Sequence, residues 1–99
     1  ENVSAVEVES VLALPPAVKL AQVVGIPDAK YVEVPAAFVE LQPGASATAE
    51  ELIQHCKREI SSFKVPRHIR FVNEWPMSSS KIQKFRLRTA LVAELGLSD

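Results

Sequence analysis

Apolar positions recur along this chain with two periods, and each change of period marks the end of an element. Val8, Val11 and Leu12 fall three and four residues apart, on one face of a helix. Ser4-Ala5-Val6-Glu7 stands before them as a capping box, and Val3 can staple to Val8 across the cap. Pro15-Pro16 then stops the helix, so the pattern predicts it over about residues 5–13. Leu20 to Ile26 is an unbroken apolar run, predicted as a buried strand closed by the turn chemistry of Gly25-Ile26-Pro27-Asp28. Val34 to Leu41 predicts a second strand, with Pro35 tolerated at its start or on a sheet edge. Gln42-Pro43-Gly44 turns the chain again.

Thr48-Ala49-Glu50-Glu51 is a second capping box, followed at helical spacing by Leu52, Ile53, Cys56, Ile60 and Phe63. The predicted helix covers about residues 49–61 and ends before Lys64-Val65-Pro66-Arg67. His68 to Asn73 alternates as a third strand, with Ile69 and Phe71 expected inside and Val72 a further candidate. A loop of Ser78, Ser79 and Ser80 leads into Lys81. Ile82, Phe85, Leu91 and Leu95 then form an apolar stripe, predicting a last helix over about Lys84–Leu95 with Gly96 as its left-handed cap. The order is helix, strand, strand, helix, strand, helix. Adjoining strands with a short loop favour an antiparallel pair, and the intervening helix permits a crossover to the third strand. The fold class expected is α+β, a small three-stranded sheet with helices packed over it.

Composition narrows the picture. The 99 residues suffice for a single small domain, and 47% hydrophobic with 23% charged residues is ordinary for a folded globular chain. No apolar run approaches the ~20 residues of a membrane span, and Glu7 and Glu9 interrupt any signal-peptide pattern. The chain starts at Glu1 rather than Met, which leads us to expect a fragment or a processed chain. Cys56 is the single cysteine, which excludes an intrachain disulfide and a cysteine-built metal site. It falls on an apolar helix face, where burial is the expected role. A reducing, cytoplasmic setting fits this usage.

Charge is divided unevenly. Up to His55, eight acids face Lys19 and Lys30; from Cys56 onward, nine Lys or Arg face Glu59, Glu74, Glu94 and Asp99. The halves therefore carry about −6 and +5, which suggests that the second half meets something anionic. Phosphate-bearing cofactors, an acidic partner domain and nucleic acid are the candidates, against the plain alternative of a solvated helix face. Nucleic acid is disfavoured because no aromatic platform interleaves with the basic residues.

Candidate chemistry is sparse. There is no paired-carboxylate constellation, metal-ligand spacing or glycine-rich phosphate loop. His55 and His68 have no triad or ligand partners in the sequence and read as structural. Lys81, on its small-residue loop, can reach a neighbouring site and offer three donors to a phosphate or carboxylate oxygen. Alone, such a lysine is ordinarily a solvated charge.

Nearly the whole chain resembles the C-terminal domain of the adenylate-forming enzymes, the superfamily of acyl-CoA synthetases, peptide-synthetase adenylation domains and beetle luciferases. The resemblance is carried by Glu1-Asn2-Val3 with Glu7-Val8-Glu9, Val23-Val24-Gly25-Ile26-Pro27-Asp28, Glu33-Val34-Pro35-Ala36-Ala37-Phe38-Val39, Gln42-Pro43-Gly44-Ala45, Phe63-Lys64-Val65-Pro66 and Lys81-Ile82-Gln83-Lys84. Each motif is weak alone; in this order they are specific. The resemblance implies a two-step reaction in which a carboxylic acid and Mg-ATP give an acyl-adenylate and pyrophosphate. A thiol, usually that of coenzyme A, then displaces AMP. It also implies that this chain is the mobile C-terminal domain of a larger two-domain ligase, rotating over its own N-terminal domain to present a different face in each step. That larger domain would hold ATP, Mg and the acid, and this domain alone would be inactive.

Residue by residue, Lys81 matches the family's adenylation lysine. The loop before it departs from the family pattern, with Ser80 where glycine is common and one residue fewer after Pro76. The lost glycine-lysine pair weakens any expectation of regulation by acetylation. Lys57, Tyr31, Phe63 and Val65 fall where some family members contact coenzyme A. Their plain alternatives are a solvated helix charge for Lys57, a packed loop residue for Tyr31 and core packing for Phe63. Val32 stands where glycine is usual. Loading of a carrier-protein phosphopantetheine arm and a non-catalytic interaction module are the remaining alternatives to an acyl-CoA synthetase.

Overall fold

A computed structural model describes residues 4–98 of the chain. Helix α1, Ala5–Leu12, is capped by the Ser4 hydroxyl, which accepts from the Glu7 N–H. The expected staple from Val3 lies outside the described residues. Strands β1, Val18–Asp28, and β2, Val32–Leu41, pair antiparallel from Asp28↔Val32 to Val18↔Leu41. Helix α2, Ala49–Glu59, starts on a reciprocal box in which Thr48 and Glu51 each accept from the other's backbone. A 3-10 turn, Ser62–Lys64, leads into β3, His68–Phe71, which pairs parallel to β2 from Ala36↔His68 to Val39↔Phe71. The expected three-stranded sheet therefore forms in the order β1-β2-β3. Two short strands, β4 (Met77–Ser78) and β5 (Lys81–Ile82), make a separate hairpin before helix α3, Lys84–Leu95. Gly96 ends α3 at φ 68°, the left-handed cap expected of it.

Both faces of the sheet are covered. On one, Ala21, Val23, Ala37, Val39 and Ile69 pack with Val8 and Leu12 of α1 and Leu52 and Cys56 of α2. On the other, Val24, Ile26, Val34, Ala36 and Phe38 pack with Leu87 and Leu91 of α3. This double cover explains why β2 is buried continuously from Val34 to Val39 instead of alternating. Three layers result, with α1 and α2 on one side and α3 on the other.

Four expectations change. Pro35 lies in the central strand, not on an edge. Its carbonyl accepts from the Arg67 N–H at 2.9 Å on the β3 side, one residue before the β2–β3 ladder opens at Ala36. The donor it lacks would point to that side too, so no ladder bond is lost. Phe71 is exposed, because it ends the edge strand outside both cores while Ile69 is buried. Phe85 is 65% exposed. Leu87 and Leu91, one turn apart, form the buried stripe of α3, and Phe85 lies roughly 200° around the helix from Leu87. Finally, α2 stops at Glu59, so Phe63 sits on the 3-10 turn instead of a helical face.

The β1–β2 connection carries backbone strain. Val32 has φ 68°, and the Glu33 N–H donates to the Tyr31 carbonyl at 2.7 Å across it. A β-branched residue there crowds its own backbone, at a cost of about 1–3 kcal/mol. We predict that Val32→Gly raises the stability of the chain by about 1 kcal/mol, read as a rise of roughly 4–8 °C in Tm. An unchanged or lower Tm would show that the turn is not strained.

Candidate functional site

Two distinct features gather the sequence candidates. The first is the hairpin. The serine loop is tighter than the sequence suggested: Ser78 pairs with Lys81 and Met77 with Ile82, leaving Ser79-Ser80 as a two-residue turn. Ser79 takes φ 54°, which a small polar residue tolerates. The Gln83 N–H donates to the Pro76 carbonyl at 2.8 Å and closes the hairpin base. Lys81 is exposed and forms no ion pair among the described residues. The hairpin belongs to the α3 side of the sheet, since Ile82 packs against the core that contains Leu87 and Leu91.

The second is an open cavity of about 670 Å³ at the other side, lined by Tyr31, Glu33, Ile53, Lys57, Ser62, Phe63, Val65 and Arg67 among others. All four candidates other than Lys81 meet here. Tyr31 is 50% and Phe63 41% exposed, so neither ring is consumed by the core. Val65 is buried and forms part of the apolar floor. The Arg67 guanidinium stands 5.4 Å from the Tyr31 ring centroid, Lys30 lies 5.1 Å from the same ring, and Lys64 lies 5.6 Å from that of Phe63. Aromatic surface flanked by cations is what a phosphorylated base binds. Lys57 and Arg67 form no salt bridge among the described residues.

Asp28 supports the cavity indirectly, through the turn that carries Tyr31. Its carboxylate accepts from the Tyr31 and Lys30 N–H groups, both at 3.0 Å, and orders the turn that carries Tyr31. Those two bonds, with a smaller contribution from Arg67, hold the Asp28 carboxyl below its ordinary range. Elsewhere the acidic half pairs with the basic half: Lys64 binds Glu7 at 2.8 Å and Lys84 binds Glu9 at 2.6 Å. Part of the charge asymmetry is thus internal. Lys57, Arg67 and Lys81 are among the cations outside these ion pairs.

The other titratable candidates are structural. His55 Nε2 lies 2.8 Å from the Val11 carbonyl and ties α2 to α1. Cys56 is fully buried and desolvation pushes its thiol up to about 11, which makes it a packing residue and not a nucleophile. Among the described residues no group of three or more His, Cys, Asp or Glu could hold a metal ion. No described helix is long and apolar enough to cross a membrane.

The arrangement, an exposed lysine on one layer and an aromatic, cationic cavity on another, can be compared with known proteins. The family model described as AMP-binding enzyme C-terminal domain matches residues 7–81. The chain belongs to this family. It is 42% identical over 99 residues to the putative acyl-CoA synthetase YngI of Bacillus subtilis, spanning 99% of this chain and 18% of that protein. It is 43% identical over 98 residues to the mitochondrial medium-chain acyl-CoA ligase ACSF2 of Mus musculus, spanning 98% of this chain and 16% of that protein. The crystal structure of Brucella canis acyl-CoA synthetase superposes with a TM-score of 0.81 at 45% identity, over 92% of this chain and 18% of that one. The chain therefore spans less than a fifth of the length of these relatives.

As an AMP-binding enzyme C-terminal domain, the chain has one cavity cation that sequence reasoning missed. Arg67 follows the Phe63-Lys64-Val65-Pro66 motif directly and was visible only as part of a helix break. Its signal lies in the fold: Pro66 turns the chain, and the Arg67 N–H bonded to Pro35 fixes it beside Tyr31. Glu33 was legible as part of a family motif but not as cavity lining. It folds against Gly25, where a Cβ would come within 2.2 Å of its carboxylate carbon.

Proposed function

We propose that this domain completes an AMP-forming acyl-CoA synthetase, acting on a carboxylic acid, ATP and coenzyme A as the mobile C-terminal part of a larger two-domain ligase. The observation that carries the proposal is the separation of the two features. Lys81 projects from the α3 layer, and the cavity of Tyr31, Lys57 and Phe63 opens where α2 meets the β1–β2 turn. A domain that serves two successive reactions at one centre must present two faces, and the two separate features here support that reading.

In the first step a carboxylate oxygen bonds to the α-phosphorus of ATP and the bond to pyrophosphate breaks. Negative charge spreads over all three groups. Lys81, delivered on a short stiff hairpin into a site closed to water, stabilises that charge far more than it could in bulk solvent. ATP, Mg and the acid are assigned to the part of the protein beyond this chain. In the second step the thiol sulfur bonds to the acyl carbon and AMP leaves. The cavity then holds the nucleotide end of coenzyme A: Phe63 and Tyr31 offer ring surface to the adenine, Val65 offers an apolar floor, and Lys57 and Arg67 face the phosphates. A carrier-protein phosphopantetheine arm has no adenosine to fill this cavity, so its chemistry favours free coenzyme A as the thiol.

Base stacking on a single ring contributes about 1–3 kcal/mol. Phe63→Ala in the full-length protein should therefore raise the KM for coenzyme A by roughly tenfold, with acid-dependent pyrophosphate release unchanged. Acyl-CoA formation across fatty, aromatic and alicyclic acids is the assay, with a phosphopantetheinylated carrier as the competing acceptor. An unaltered coenzyme A KM, or a preference for the carrier, contradicts this assignment.

A further inference from the structure

The β4–β5 hairpin meets the rest of the domain at its two stems and through Ile82, which packs against the core beneath α3. Among the described residues, the β4 and β5 backbones lie close chiefly to each other. The stem before β4 carries Trp75, whose indole N–H donates to Glu40 Oε1 at 2.8 Å. Glu40 is on β2, and the Trp75 hydrogen bond, with Lys19 as a weaker second cause, keeps its carboxyl below the ordinary range. The stem after β5 carries Lys84, whose ammonium donates to Glu9 Oε2 at 2.6 Å. That same oxygen accepts from the Val23 N–H at 2.8 Å, so Glu9 joins α1, the edge strand β1 and the start of α3 at one atom. Glu9 and Glu40 side chains are both only 19% exposed, and partial burial limits how far water can loosen either contact.

From this geometry we infer that Trp75–Glu40 and Lys84–Glu9 form a two-point clamp that positions the Lys81 ammonium for adenylation. The inference rests on the assignment of Lys81 above. Trp75 and Lys84 are positioning residues: they touch the hairpin's stems, and Lys81 touches the substrate. Ile82 seats the base of the hairpin on the core, and the two polar anchors, one on each stem, set its direction, so losing one lets it tilt about the other. Small angular changes at the base become larger displacements at the ammonium, and a displacement near 1 Å can cost on the order of a hundredfold in rate.

The test uses the full-length protein carrying Trp75→Phe, which keeps the ring and removes the donor, and Lys84→Met, which keeps the stem and removes the charge. Each should slow acid-dependent pyrophosphate release roughly tenfold, with the KM values for ATP and acid and the rate of thioester formation from preformed acyl-adenylate unchanged. Glu9→Gln should match Lys84→Met, and adding it to Lys84→Met should slow the reaction no further. Lys84→Arg should restore most of the rate. Full pyrophosphate release in both single variants overturns the clamp. Equal loss in both half-reactions, tracking a fall in Tm, overturns it too, since that is the signature of a merely structural contact. If Lys81→Ala itself keeps pyrophosphate release, the failure lies in the assignment of Lys81 and not in the clamp alone.

Discussion

Lys81→Ala in the full-length protein will slow acid-dependent pyrophosphate release by roughly two to three decades, the loss typical of removing one preorganised donor from a developing anion. Thioester formation from preformed acyl-adenylate should stay within about twofold of the unaltered protein. The asymmetry follows from the architecture: Lys81 is on the β4–β5 hairpin and does not line the cavity proposed for coenzyme A, so a lesion at the hairpin leaves the cavity wall intact. Lys81 is exposed and unpaired by any carboxylate among the described residues, so its removal leaves no orphaned partner to confound the measurement. A variant that loses both steps alike would place Lys81 in the frame of the domain and not in the chemistry.

Leu91→Ala should give the opposite pattern. Leu91 is 1% exposed and packs with Leu87 against Val24, Ile26 and Phe38. Emptying such a site costs about 2–5 kcal/mol, a large share of the stability of a domain this small. The core concerned is the one that seats α3 and, through Ile82, the hairpin. We expect a Tm drop of roughly 10 °C or more for the chain, and a parallel fall of both half-reactions at temperatures near the new midpoint. The two rates should recover together on cooling. A stable variant that loses only adenylation would mean that Leu91 acts on the hairpin and not on the fold.

Most of the fold was legible because local signals agreed with one another. Both capping boxes formed where Ser4 and Thr48 announced them, and α3 runs over Lys84–Leu95 with Gly96 as its cap. The misplacements have a common physical origin. Phe71 and Phe85 are apolar, and pattern reasoning assigns apolar residues to the interior, yet burial also requires a covering layer. At the end of β3, and on the outer side of the first turn of α3, no layer is present among the described residues. Pro35 was misplaced because local sequence does not show where in the central strand the neighbouring ladder begins. The hairpin was read as an open loop because two-residue strands are too short to show a period.

The site was legible in a different way. Nothing in the spacing of Tyr31, Lys57, Phe63 and Val65 places them together; family resemblance proposed them, and the fold brings them to one cavity. Their convergence depends on tertiary pairing: the β1–β2 turn delivers Tyr31, and the 3-10 turn delivers Phe63. Arg67 escaped notice because its role depends on a backbone hydrogen bond to Pro35, which no local motif encodes. Val32, standing where the family usually has glycine, was legible as a departure, and its positive φ shows why glycine suits that position.

The central claim is that one small domain carries two functional faces used in succession. Its most direct test sets Lys81→Ala beside Phe63→Ala in the full-length protein and times each half-reaction separately. The account predicts a crossed result: Lys81→Ala loses pyrophosphate release and keeps thioester formation, and Phe63→Ala keeps pyrophosphate release and needs roughly tenfold more coenzyme A. If both variants impair the same step, or each impairs both, the two faces do not serve separate steps and the claim is wrong.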